Sequence, residues 1–308
     1  MQQLNVTLQR PIIDNFTDII YHQVVQARLV RQLRLSLLVP RTVNVKPVII
    51  YFPGGGFLSA EYNKFIQMRM ALAERGFVVA CAEYRVIPDT FPAPVQDGKA
   101  AIRYLRAFAD QYGINPQQIG VLGDSAGGWL AQMLALTDDE TDFQQGQYLN
   151  QSAQVQAAVS LYGLSNLLNI GEGLGITIEA VHQSPAVTEA LLVNGVAFNQ
   201  FAGANIDSDP AKALYASPMG HLQGNKPPLL LMHGEQDRLV SPKQSEQLYH
   251  ALLANHQPVQ LTTIPQAQHG DEYWYQQSVI DYVCQWFIQQ FGLPKQQWIE
   301  QEGLQGRL

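Results

Sequence analysis

The stretch GVLGDSAGGWLA puts Gly123, Ser125 and Gly127 in a G-x-S-x-G pattern between an apolar run and a helix-like run. A strand that turns sharply into a helix forces its central residue into a strained conformation, and only very small neighbours two before and two after avoid collision. The serine hydroxyl is then held out above the sheet. A helix-capping serine among small residues is the plainer reading, and the strand-turn-helix context weighs against it. A hydroxyl is a weak nucleophile until a base takes its proton, and the base needs a carboxylate to fix its tautomer. Of the seven histidines, His269 in QAQHGDEYW lies in a loop just past the last apolar run, where a base is useful. His233 ends a buried run in LLLMHG and reads as structural, while His22, His182, His221, His250 and His256 read as solvated. Asp237 in HGEQDRLV is the best-placed carboxylate, because Asp207 and Asp209 fall in a long irregular segment and Asp271 reads as a helix N-terminal residue. Ser125, Asp237 and His269 together have the residue types of nucleophilic acyl transfer. Such chemistry also needs donors for a developing oxyanion, and rigid backbone amides free of side chains serve best. The triglycine of YFPGGGF is suited to this, so donors are assigned to the amides of Gly55, Gly56 and Ala126. Taken alone, three glycines are equally consistent with a plain turn.

The elements that must position these residues alternate. ARLVRQLRLSLLVP (27–40) reads as an amphipathic strand and KPVIIYF (46–52) as one buried on both faces. A helical run from Tyr62 closes on Gly76 as a C-cap, followed by the strand FVVACAEY (77–84). Then come a helix over 93–113 stopped by Gly113, a strand over 118–124, a helix over 126–136 and a strand over 155–163. Strands over 227–234 and 258–265 and a long closing helix from Asp271 complete the order. Strands separated by helices imply an α/β architecture with a mostly parallel sheet covered on both faces. Residues 164–226 are far more than a connection needs and read as an insertion whose helical stretches, such as TIEAVH and AVTEALLVNGVAFNQF, could lie over the carboxyl ends of the strands. Phe198, Phe201 and Leu174 there suggest an apolar pocket, although helical apolar residues are more often simply packed. The tail after Gly292 has little pattern and reads as a short terminal helix or a loosely held segment.

With 308 residues and 46% hydrophobic content the chain can bury a large core, and a single domain over 1–308 is expected. A formal charge of -7 without runs of one sign argues against nucleic acid and anionic membrane surfaces as partners. No apolar run is long enough to span a bilayer and the N-terminal residues lack a signal-like pattern, so a cytoplasmic protein is expected. Cys81 and Cys284 make neither a disulfide framework nor a zinc site. The strand at 258–265, if it forms an uncovered edge, could pair with a second copy in a homodimer.

With GGGF, EYRVIPDTFPAPVQD, GDSAGG, HGEQDRLV and QHG in view, the chain resembles the hormone-sensitive-lipase-like branch of α/β-hydrolase carboxylesterases over roughly residues 45–290. The resemblance implies an α/β-hydrolase fold with an eight-stranded, mostly parallel sheet and a small helical cap. It implies hydrolysis of small, short-acyl esters without cofactor or metal, by Ser125, Asp237 and His269 with Gly55, Gly56 and Ala126 as oxyanion hole. An arylformamidase or small-peptide amidase on the same triad, or a ligand-binding relative without catalysis, are the alternatives. One position departs from the family: its glycine run usually follows a histidine that braces the loop, and here Pro53 stands there, able to fix its own φ and keep Phe52 extended.

Overall fold

The computed structural model describes residues 2–6, 10–26, 28–138 and 140–293. The tail expected to be helical or loose lies, from residue 294 on, outside the described residues. Apolar runs form the cores of the central strands β3 (Lys46–Phe52), β4 (Val78–Ala82), β5 (Ile114–Asp124), β6 (Ala157–Leu161) and β7 (Leu229–Gly234), with β8 (Val259–Ile264) at one edge. At the other edge stand β1 (Ile13–Gln26) and β2 (Leu29–Pro40), giving the order β1-β2-β4-β3-β5-β6-β7-β8. β1 and β2 pair antiparallel, β2 meets β4 antiparallel, and every other neighbouring pair is parallel.

The period of two along β3 divides its side chains between two cores. Val48, Ile50 and Phe52 join one cluster, and Ile49 and Tyr51 join the other. Helices α2 (Ala93–Ala107) and α4 (Ala126–Leu136) cover the first face, and α1 (Ile66–Glu74) and α9 (Gln277–Gln290) the second. α3 (Ala109–Tyr112) and α8 (Lys243–Ala254) complete the body of the fold. Helices on both faces explain why these strands carry no polar alternation.

Several expectations shift. The eighth strand, β1, is absent from the sequence reading because its register slips between Phe16 and Ile19 and again between Ile20 and His22, which breaks the alternation a strand would show. The helix expected from Tyr62 starts only at Ile66, after Phe65 at φ 54°. The helix expected over 93–113 breaks at Phe108, and the closing helix is a 3-10 turn, Glu272–Tyr275, before α9.

Between β6 and β7 lie the short helices α5 (Ile176–Val181), α6 (Thr188–Asn194) and α7 (Pro210–Tyr215). The expected helix through residue 201 stops at Asn194, where Gly195 turns at φ 86°. These helices dock on the body through backbone carbonyls: Phe91 N–H donates to Leu192 O at 2.9 Å and Trp129 Nε1–H to Ala216 O at 2.9 Å. Phe198 is 81% exposed, so it is not packed as a helix-core residue. Cys81 and Cys284 are both free and buried, and burial pushes each thiol up to about 12.

Candidate active site

Ser125 stands between the end of β5 and the start of α4 with φ 52° and ψ −120°, a region that L-residues avoid unless the surroundings impose it. The glycines flanking it explain how the turn closes. A Cβ on Gly123 would lie 1.9 Å from Gly127 O, and one on Gly127 would lie 2.0 Å from Phe52 O. Neither position accepts any other residue without moving backbone. The Ser125 N–H donates to Leu161 O at 2.9 Å, tying the turn to the neighbouring strand β6.

His269, in the loop after β8, places Nε2 2.8 Å from Ser125 Oγ and Nδ1 2.7 Å from Asp237 Oδ2. The structure therefore brings the three sequence-predicted residues together, 144 positions apart in the chain for serine and histidine. A proton on Nδ1, donated to the carboxylate, leaves Nε2 free to accept from the serine hydroxyl. Asp237 is fixed from several sides. Its Oδ1 accepts from the Leu239 and Val240 amides, each at 2.9 Å, and Oδ2 also lies 3.3 Å from His233 Nε2. Burial alone would push this carboxyl up, yet the hydrogen bonds with His233 and His269 outweigh it and hold it well below the usual carboxylate range.

The triglycine wraps over the same turn. A Cβ on Gly54 would lie 2.9 Å from Ser125 Cβ, and one on Gly55 would meet Ser59 O at 2.3 Å. Gly56 takes φ +59° with open space around it. The Gly54 amide is already used, donating to Asp124 Oδ1 at 2.7 Å, whereas among the described residues the amides of Gly55 and Gly56 meet no acceptor. Ala126 opens α4, where the first amides of a helix have no intrahelical partner. Phe52 ends β3 extended, and the Pro53 carbonyl accepts from Tyr84 Oη–H at 2.7 Å.

The BD-FAE family model matches residues 35–252, well over half of the 308. The chain belongs to the BD-FAE family. It is similar to a probable carboxylic ester hydrolase of Mycobacterium tuberculosis, LipM, with 31% identity over 227 residues, covering 73% of this chain and 49% of that protein. Esterase LipQ of the same organism is 28% identical over 227 residues, covering 73% of this chain and 50% of that protein. The chain thus spans about half the length of the curated relatives it matches. Among solved structures, a truncated carbohydrate esterase from gut microbiota superposes with a TM-score of 0.76 at 22% identity, covering 92% of this chain and 98% of that one. A Thermogutta terrifontis esterase solved with butyrate bound gives 0.70 at 21% identity, covering 93% and 96%. The fold of this BD-FAE chain is that of the α/β-hydrolases.

Sequence reasoning missed what surrounds the BD-FAE serine turn. Asp124 is 2% exposed and accepts four donors: Tyr51 Oη–H at 2.6 Å, Gly54 N–H at 2.7 Å, Lys64 Nζ at 2.8 Å and Tyr162 Oη–H at 3.2 Å. Tyr162, itself at φ 41°, also packs its ring against that of His269 in a T-shaped contact with centroids 4.8 Å apart. Burial, followed by the charge of Asp124, pushes the phenols of Tyr51 and Tyr162 well up, so both remain neutral donors. Of the histidines read as solvated, His250 and His256 are exposed and His182 is half-buried. His22 and His221 depart from that reading: both are buried, His22 beside Gln147 and His221 between Glu140 and the Tyr215 carbonyl. Asp271 is, as expected, the residue that caps the turn after His269, accepting from the Tyr273 amide at 3.2 Å.

Proposed function

We propose that this protein is a serine carboxylesterase that hydrolyses small, short-acyl esters through an acyl-enzyme. The observation that carries the reading is one imidazole bridging a strained serine hydroxyl at 2.8 Å and a buried carboxylate at 2.7 Å. Ser125 Oγ bonds to the ester carbonyl carbon while its proton passes to His269 Nε2, and Asp237 steadies the imidazolium. Negative charge gathers on the former carbonyl oxygen, which the amides of Gly55, Gly56 and Ala126 receive. Collapse breaks the ester C–O bond and the leaving alcohol takes the proton from His269. Water, activated by the same imidazole, then attacks the acyl-serine and releases the carboxylic acid.

The names of the relatives and the butyrate bound to a structural neighbour support ester bonds and short acyl chains. In this reading α5, α6 and α7 form a cap on one domain and shape the substrate pocket. Cytoplasmic residence and a homodimer through the open edge of β8 belong to the same proposal; the free thiols suit a reducing compartment, and sedimentation would test the dimer.

The direct test is p-nitrophenyl ester hydrolysis from acetyl to decanoyl, with formanilide alongside. Turnover greatest on the short esters, its loss in Ser125→Ala, and labelling of Ser125 by a fluorophosphonate are expected. Turnover unchanged in Ser125→Ala would overturn the assignment.

A further inference from the structure

We infer that Lys64 and Asp124 are positioning residues that lock the glycine loop in its oxyanion-binding shape, an inference resting on the esterase reading above. The loop has no side chains of its own with which to hold itself, since residues 54–56 are all glycine. What fixes it must come from elsewhere. Lys64 Nζ donates to Gly54 O at 3.1 Å and to Asp124 Oδ2 at 2.8 Å, while Asp124 Oδ1 accepts from Gly54 N–H at 2.7 Å. Both polar groups of the Gly54 backbone are therefore gripped by one ion pair, immediately before the two free amides. The carboxylate belongs to the residue before Ser125, so the same group references the loop to the nucleophile.

Lys64 is itself anchored. Buried Arg69 donates from Nε to Lys64 O at 2.8 Å and from Nη2 to Asn63 O at 2.7 Å, and from Nη1 to Ser36 Oγ at 3.3 Å on β2. Phe57 at φ 62° and Phe65 at φ 54° bracket the connection between the glycines and α1. Two non-glycine residues in the left-handed region cost free energy and persist only where tertiary contacts over-determine them. Surface ion pairs contribute little, but here one partner is buried and carries three further hydrogen bonds, so the pair acts as part of a network. Tyr162 extends that network to His269, so donors and base share one anchor.

An oxyanion donor counts only where it meets the charge of the transition state, so loosening the loop should lower kcat and spare ground-state binding. The test uses the full chain with p-nitrophenyl acetate, rates normalised to active sites titrated with a fluorophosphonate. Lys64→Met is expected to lower kcat about ten- to a hundredfold with KM within about twofold, and to weaken a trifluoromethyl ketone inhibitor by a similar factor, as one impaired donor costs at most about a thousandfold. Lys64→Arg should recover most of the loss. Asp124→Asn, which keeps an acceptor for Gly54 but removes the ion pair, should show the same pattern, and Lys64→Met/Asp124→Asn should be no worse than the poorer single variant. Should Lys64→Met fail to fold, Asp124→Asn alone carries the kcat and inhibitor comparison. Unchanged kcat per titrated site in an active protein, or losses that simply multiply in the double variant, would overturn this inference while leaving the esterase reading intact. A wild type inert to both esters and fluorophosphonate would instead overturn the reading on which it rests.

Discussion

At the scale of single residues, the site depends on atoms that are absent as much as on those present. Gly127 lets the serine turn press against the end of β3, with only 2.0 Å between its missing Cβ and Phe52 O and 2.7 Å to Phe52 C. These are backbone atoms of a central strand and cannot rotate away. Gly127→Ala is therefore expected to cost at least the upper end of the overpacking range, about 3 kcal/mol, measurable as a lower urea midpoint, and to lose hydrolysis with it. Asp237 gives a prediction in pH. Its carboxyl is held below its ordinary value in the folded protein, so the unfolded chain takes up the proton first as pH falls. The stability it contributes is complete above the ordinary carboxylate range and is lost as pH drops through it toward the lower folded value. The stability gap between the wild type and Asp237→Asn should be widest near pH 7 and narrow steadily below about pH 4. Denaturant midpoints across that range would show it, and a gap that widens in acid would contradict the assignment of cause.

At the scale of elements, the parts that sequence reveals are those whose physics is local. β3, β4 and β6 are buried residue by residue, and burial on both faces leaves an uninterrupted apolar run that can be read directly. Ser125, Asp237 and His269 were legible because each follows the carboxyl end of a strand. Lys64 and Tyr162 were not, because they reach Asp124 from 60 and 38 residues away, and nothing local marks a lysine or tyrosine for such a meeting. β1 was hidden for the opposite reason, its bulges having erased the local signal. A further non-local tie joins the segment after β4 to α2. Asp97 is fully buried and accepts from Arg85 Nε, Nη2 and backbone N–H at 2.8–3.0 Å. The Ile87 amide nearby donates to Phe57 O at 2.9 Å, linking this segment to the glycine loop. Asp97→Leu would leave a guanidinium buried without its anion and is expected to cost about 3–5 kcal/mol, whereas Arg85→Met/Asp97→Leu should recover most of it. Urea unfolding of the two variants distinguishes a pair that stabilises the fold from one that merely must not be broken.

At the scale of the whole molecule, the question is whether the segment between β6 and β7 stands apart from the sheet. Its helices are six or seven residues long, too short to persist on their own. Their stability has to come from contact with the body. Leu192 and Val193 of α6 and Ala213 of α7 belong to the same contiguous cluster as Leu35, Val48 and Ile50 of the sheet, so removing the segment would uncover the core itself. α5 differs, since none of its residues is buried. We therefore expect α6 and α7 to unfold with the sheet in one transition, seen at the same temperature by near-ultraviolet circular dichroism and by loss of hydrolysis. Amides of Ile176–Val181 should exchange with solvent far faster than those of α6, because opening α5 exposes almost no apolar surface and so costs little. A separate low-temperature transition carrying α6 and α7 with it, or protection of α5 equal to that of β6, would show that the shared core does not couple the two layers as its contacts imply.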